Sequence, residues 1–149
     1  MREPETTKFP LCEELGIGLV AWGPLGQGFL TGGITRGMKF DDPNDLRKDF
    51  PRFTPEAMAA NQKVVEAVER VAASKRATAA QIALAWLLMR KPFIVPIFGT
   101  RRLDRVRENL GAAQISLSAE EMSAVEASLS AIDVVGDRLP AHILELSYR

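Results

Sequence analysis

Two short apolar runs, each leading straight into a glycine-containing loop, constrain this chain more than any other feature. Residues 17–22 read IGLVAW and residues 93–97 read FIVPI. Neither alternates apolar with polar residues, as a strand with one wet face would. A short, nearly continuous apolar run is the pattern of a strand covered on both faces, as in a parallel sheet. Pro96 falls near the end of the second run, where a missing N–H costs least. Between the runs, Thr54-Pro55-Glu56 places proline at a first helical position and an acid in the first turn. Val64, Val65, Val68, Val71 and Ala72 then supply a buried face. Thr78 with Gln81 forms a capping box that leads into Ile82, Leu84, Ala85, Trp86, Leu88 and Met89, with a stop before Pro92. Strand, helices, strand is the alternation that builds an α/β fold with a parallel sheet, and ligands in such folds sit at the C-terminal strand ends.

The remaining segments extend this order. Phe9 to Leu15 reads as the last turns of a helix, ended by Gly16 in a left-handed conformation. Thr31 to Phe53 has little periodicity and reads as a long irregular excursion, a length at which loops are usually functional or mobile. Leu103 to Leu110 reads as a short helix closed by Gly111, with Leu103, Val106 and Leu110 on one face. Ser118 with Glu121 is a second capping box, opening a helix through about Leu129. The tail from Ala131 to Arg149 is irregular, with a final helical turn expected at His142 to Leu146.

With 149 residues, 46% of them hydrophobic, the chain has material for one domain or a piece of one. Nineteen basic and nineteen acidic residues cancel, so no global field draws it to nucleic acid or to an anionic membrane. Any anion site must be local. The single cysteine, Cys12, cannot form an internal disulfide and fits a buried role in a reduced compartment. The opening MREPETTKFP is charged and broken by prolines, unlike a signal peptide or a membrane span. The expectation is a cytoplasmic chain with no metal site.

The loops after the two strands carry the chemistry. In WGPLGQGFLTG, residues 22–32, exposed backbone amides offer an anion such as pyrophosphate a cradle, and Trp22 offers a flat face to a stacked ring. A plain turn with Trp22 packed in the core is the competing reading. After the second strand, Gly99, Thr100, Arg101, Arg102, Arg105, Arg107, Glu108 and Asn109 share one loop and the first turns of a helix. Amides at a helix N-terminus attract phosphate and guanidinium groups bind it bidentately, so four arginines in seven residues suggest a phosphate clamp. The competing reading is a solvated helix surface laced with ion pairs, such as Arg105 with Glu108 at a spacing of three.

Taken together, these segments resemble the aldo-keto reductase superfamily, in particular its members with short connecting loops, which include the potassium-channel β subunits. The resemblance runs from about Arg2 to about Leu139: REPE, LCEELGIGLVAWGPLGQGFLTG, TAAQIALAWLL, VPIFGTRRLDRVRENLGA, LSAEEM and VVGDR occur in the family's order. It implies a partial (β/α)8 TIM barrel, about the last two β/α units plus closing helices. It further implies that Trp22 stacks a nicotinamide ring and that Gly23, Pro24, Leu25, Gln27 and Gly28 wrap the pyrophosphate. Gly99, Thr100, Arg101 and Arg105 correspond to positions around the adenosine ribose and its 2′-phosphate, and Glu108 and Asn109 to those that hold adenine. An arginine at 105 favours NADPH over NADH, because the extra phosphate compensates its charge. Phe98 departs from the proline usual in that loop.

The family reduces carbonyls with a Tyr proton donor tuned by a Lys, an Asp and usually a His, all from the N-terminal half. Here the only tyrosine is Tyr148 and the only histidine His142, both in the tail, and neither is assigned a catalytic role. A complete barrel needs roughly 250 residues. The expectation is therefore a truncated cofactor-holding part of an NADPH-dependent oxidoreductase, inactive alone, with a carbonyl substrate only when the missing half is present. The alternative is a non-catalytic nucleotide-binding or partner-binding remnant of the same fold. Exposed strand edges would favour self-association in either case.

Overall fold

The computed structural model describes residues 3–147. Helix α1 (Glu3–Leu15) carries Pro10 inside it and ends at Gly16, whose φ of +64° suits a residue without Cβ. There Ile17 N–H donates to the Cys12 carbonyl at 3.0 Å. Phe9 and Cys12 are buried on this helix, with Phe9 edge-on to Phe93 at 6.2 Å. Strand β1 (Leu19–Trp22) follows, two residues shorter at its start than the apolar run.

Strand β2 (Ile94–Ile97) lies parallel to β1, pairing Leu19 with Ile94 and Trp22 with Ile97. Among the described residues these two strands form the whole sheet. Between them come α2 (Pro55–Lys75) and α3 (Ala79–Arg90). Thr54 caps α2 by accepting from Ala57 N–H, with Pro55 at the first helical position. Thr78 and Gln81 complete the expected capping box of α3. Val65, Val68 and Ala72 are buried along α2, while Val64 and Val71 are partly so. Val68, Ala72, Ala79, Ile82 and Leu117 form one core cluster, joined by Trp86 and Met122.

Helix α4 (Leu103–Leu110) has the expected bounds but not the expected buried face. Leu103 and Leu110 are exposed and the buried residue is Asn109, because α4 packs on α3 through polar contacts from Thr78 and Gln81 to Glu108. Gly111 closes the helix as expected, in a right-handed conformation. Its φ is −59°, and the chain continues into a 3-10 turn over Gly111–Gln114. The glycine answers to space, since a Cβ there would come within 2.8 Å of the Gln81 amide nitrogen.

Helix α5 (Ala119–Ser130) opens with the Ser118–Glu121 capping box, and α6 (Ala141–Ser147) is longer than the single turn expected. Arg90 joins three helices, bonding Glu5 of α1 at 2.5 Å and Glu126 of α5 at 2.8 Å. The excursion over 31–53 is irregular apart from 3-10 turns at Leu46–Asp49 and Pro51–Phe53. It nevertheless has its own core, in which Phe29, Phe40 and Phe50 all pack edge-on to Phe53, beside Ile34 and Met58.

Candidate nucleotide site

Because Trp22 and Ile97 are register partners at the ends of adjacent strands, the loops that follow them leave the sheet side by side. They enclose one groove of about 300 Å³, lined by Gly23, Pro24, Leu25, Gln27 and Gly28 from the first loop and Phe98, Gly99 and Thr100 from the second. Arg105, Glu108 and Asn109 of α4 complete the wall, with Thr31 and Ala80. Ten of the twelve residues singled out from the sequence thus meet in one place.

The first loop is shaped by left-handed backbone. Gly28 has φ +94° and Gln27, unusually for a side-chain-bearing residue, φ +52°. Together they kink the 3-10 segment Gly26–Thr31. The turn is tied by Gly26 N–H to the Gly23 carbonyl at 3.0 Å, and by the Thr31 hydroxyl donating to the Gly28 carbonyl at 2.7 Å. From the excursion, Arg47 donates to the Gln27 carbonyl at 3.5 Å and lies over the Phe40 ring at 4.6 Å. Its hydrogen bond from the guanidinium holds the Asp45 carboxyl below the ordinary aspartate range.

On the opposite wall, Arg105 donates to Glu108 at 2.7 Å, and the other Glu108 oxygen accepts from the Thr78 hydroxyl at 2.9 Å. Gln81 donates to the Glu108 carbonyl at 2.9 Å, so the capping box of α3 also orients α4. Asn109 is only 6% exposed and borders the groove.

Two expected residues do not line it. Trp22 is 52% exposed at the strand end rather than packed in the core. The Arg138 guanidinium lies 4.0 Å from its ring centroid, and an Arg138 N–H donates to the Trp22 carbonyl at 3.2 Å. Arg101 is exposed at the loop tip. The four arginines do not act as one clamp: Arg102 is paired with Asp104, whose hydrogen bond raises the arginine's pKa and lowers its own, Arg107 faces outward, and Arg105 alone borders the groove. Short-range pairing on the helix surface thus takes up part of the positive charge. The sequence gives Thr78 and Gln81 a role only as the cap of α3, places Thr31 in the first loop without a task, and assigns nothing to Ala80 or Arg138. The last lies in the VVGDR segment, which was legible as a motif without a task. His142 sits in α6, and Tyr148 lies outside the described residues.

The sequence pattern of the aldo/keto reductase family matches residues 1–130. The chain belongs to that family. It is 38% identical over 138 residues to probable aldo-keto reductase 1 of Glycine max, covering 92% of this chain and 39% of that protein. Identity to aldo-keto reductase str7 of Strobilurus tenacellus is 34% over 138 residues, covering 93% of this chain and 41% of the relative. Among solved structures, a glycerol dehydrogenase from Gluconobacter oxydans superposes with a TM-score of 0.71 at 27% identity, over 87% of this chain and 39% of that one. A thermostable aldo-keto reductase in complex with the inhibitor epalrestat gives 0.58 at 29% identity, over 86% and 36%. This aldo/keto reductase chain therefore spans about two fifths of the length of the relatives it matches. Its two parallel strands with helices around them are part of the (β/α)8 barrel of its structural neighbours. Among the described residues, no helix is long and apolar enough to cross a membrane.

Proposed function

We propose that this chain is the NADPH-binding part of a cytoplasmic aldo-keto reductase that reduces aldehydes or ketones. The observation that carries the reading is the single groove shared by the two strand-end loops, with Arg105, Glu108 and Asn109 on its far wall. The residues suit a dinucleotide. Backbone of Gly23 to Gly28 would meet the pyrophosphate, Arg105 the 2′-phosphate, and the amide of Asn109 the polar edge of adenine, with Glu108 beside it.

The nucleotide supplies hydride when bound. This chain's residues hold, orient and shield it, and Trp22 at the end of β1 presents an indole to the nicotinamide end. A proton donor for the carbonyl oxygen must lie within hydrogen-bond reach of it. In the family that group is a tyrosine from the preceding half of the barrel, so catalysis is assigned to the whole barrel and not to this chain alone.

Titration of the full chain with NADPH and NADH, followed by calorimetry, tests the reading. NADPH should bind at least tenfold tighter than NADH, and carbonyl-dependent oxidation of NADPH by the isolated chain should be absent. Equal affinity for the two nucleotides, or no binding of either, would sink it.

A further inference from the structure

The tail between α5 and α6 crosses back over the molecule and is pinned at three places. Asn61, on α2 and only 4% exposed, uses both ends of its amide: its NH2 donates to the Val135 carbonyl at 2.9 Å, and its oxygen accepts from Val135 N–H at 2.8 Å. One residue on, Gly136 passes so close to the excursion that a Cβ would lie 2.7 Å from the Pro51 carbonyl oxygen. Its carbonyl accepts from Arg52 Nε at 3.2 Å. Two residues further, Arg138 reaches the end of β1, stacks on Trp22 and bonds its carbonyl.

A buried asparagine committed at both ends to one backbone residue is a register device: sliding the tail would carry the Val135 N–H and C=O away together and orphan both ends of the amide. Gly136, at φ +85°, adds a second position that no side chain can occupy without moving the tail. Both fix the point from which Arg138 departs. The Trp22 carbonyl is the last of β1 and the first hinge of the glycine loop, so Arg138 acts on indole and hinge together.

We infer that Arg138, held in register by Asn61 and Gly136, is a positioning residue that sets the Trp22 indole for the nicotinamide end of the bound nucleotide. The inference rests on the nucleotide reading above but concerns only one end of the ligand. A guanidinium over an indole face is attracted by the ring quadrupole. That attraction restrains the ring, and its loss falls on ligands that use the ring.

The test compares NADPH with adenosine 2′,5′-bisphosphate, which keeps the adenine and 2′-phosphate but has no nicotinamide. Arg138→Met should weaken NADPH roughly three- to tenfold and leave the bisphosphate unchanged. Arg138→Lys should recover part of the loss. Asn61→Ala should give the same selective loss, and the double variant should be no worse than either single one, because both act through one contact. In a Trp86→Phe background, where Trp22 is the sole tryptophan, Arg138→Met should also shift the emission and near-ultraviolet dichroism of Trp22 without nucleotide. Equal weakening of both ligands, or an unaltered Trp22 signal, overturns the inference. Wild-type chain that binds neither ligand refutes the nucleotide reading instead, and the Trp22 spectrum then decides the positioning role by itself.

Discussion

Arg105 donates to Glu108 across 2.7 Å, one turn apart on α4, at the wall of the groove. The guanidinium best placed to meet a phosphate is therefore already oriented by a carboxylate of its own helix, and that carboxylate is oriented in turn by Thr78. A phosphate entering here meets an arginine that an ion pair of its own helix already holds at the groove wall.

Replacing Arg105 by methionine should erase the preference for the phosphorylated nucleotide. A hydrogen bond to a charged group contributes about 1.5–3 kcal/mol, so NADPH affinity should fall by roughly ten- to a hundredfold while NADH changes less than about twofold. Calorimetric titration reads both. A parallel fall for the two nucleotides would show that Arg105 supports the loop and not the phosphate.

Thr78 has two tasks, capping α3 and holding Glu108. Thr78→Ala should lower stability by about 1–2 kcal/mol, the usual cost of losing such a cap, and Thr78→Ser should restore most of it. Urea unfolding gives the stability. Glu108→Gln leaves the cap intact, so any stability loss shared by it and Thr78→Ala measures the Glu108 contact separately.

Acid should destabilise the chain through identifiable carboxylates. The Lys75 ammonium bonded to Glu121 at 2.7 Å holds that carboxyl below its ordinary 4.5, and Arg47 holds Asp45 below 3.8. A group whose folded pKa is depressed contributes stability that is fully present above the unfolded pKa and is lost as pH falls through the folded one. The urea midpoint should accordingly hold between about pH 7 and pH 5 and decline below about pH 4.5. Lys75→Met should make that decline shallower, and a steeper decline would refute the assignment.

The two parallel strands leave Val20, Trp22, Val95 and Ile97 half or more exposed, all at paired positions and so on one face. An apolar sheet face of this kind seeks cover. We propose that the isolated chain self-associates through it, with sedimentation showing a mass that rises with concentration. Val20→Asp with Val95→Asp should hold the chain monomeric. If the doubly substituted chain associates as strongly as the parent, another surface is responsible.

How much of this was legible in the residues depends on the range of the interaction. The three helix caps at Thr54, Thr78 and Ser118 and the left-handed Gly16 are set by a few neighbouring residues, and the structure has them as expected, whereas the two strands form in parallel but carry one open face, at Val20, Trp22, Val95 and Ile97, where cover on both faces was expected. The orientation of α4 is not legible in its own residues, because the contacts that set it, from Thr78 and Gln81 to Glu108, span 30 and 27 positions. The aromatic core of the excursion escaped notice for a related reason: Phe29, Phe40, Phe50 and Phe53 follow no helical or strand period. The groove itself was anticipated from two loops, but the exclusion of Arg101 and the reach of Arg138 to Trp22 arise from tertiary packing that spacing along the chain does not encode.

The register that sets Trp22 opposite Ile97 has a mechanical consequence. Both walls of the groove hang from a ladder of four paired residues, and a slip by one residue would offset them by about 3.3 Å along the strands and turn every side chain over. A molecule gripped by both walls resists that slip and works as a rivet across the smallest sheet a parallel fold can have. The melting temperature of the chain should therefore climb with the logarithm of ligand concentration once the site is saturated, and the added heat resistance should disappear for a ligand that touches only one wall too weakly to be retained.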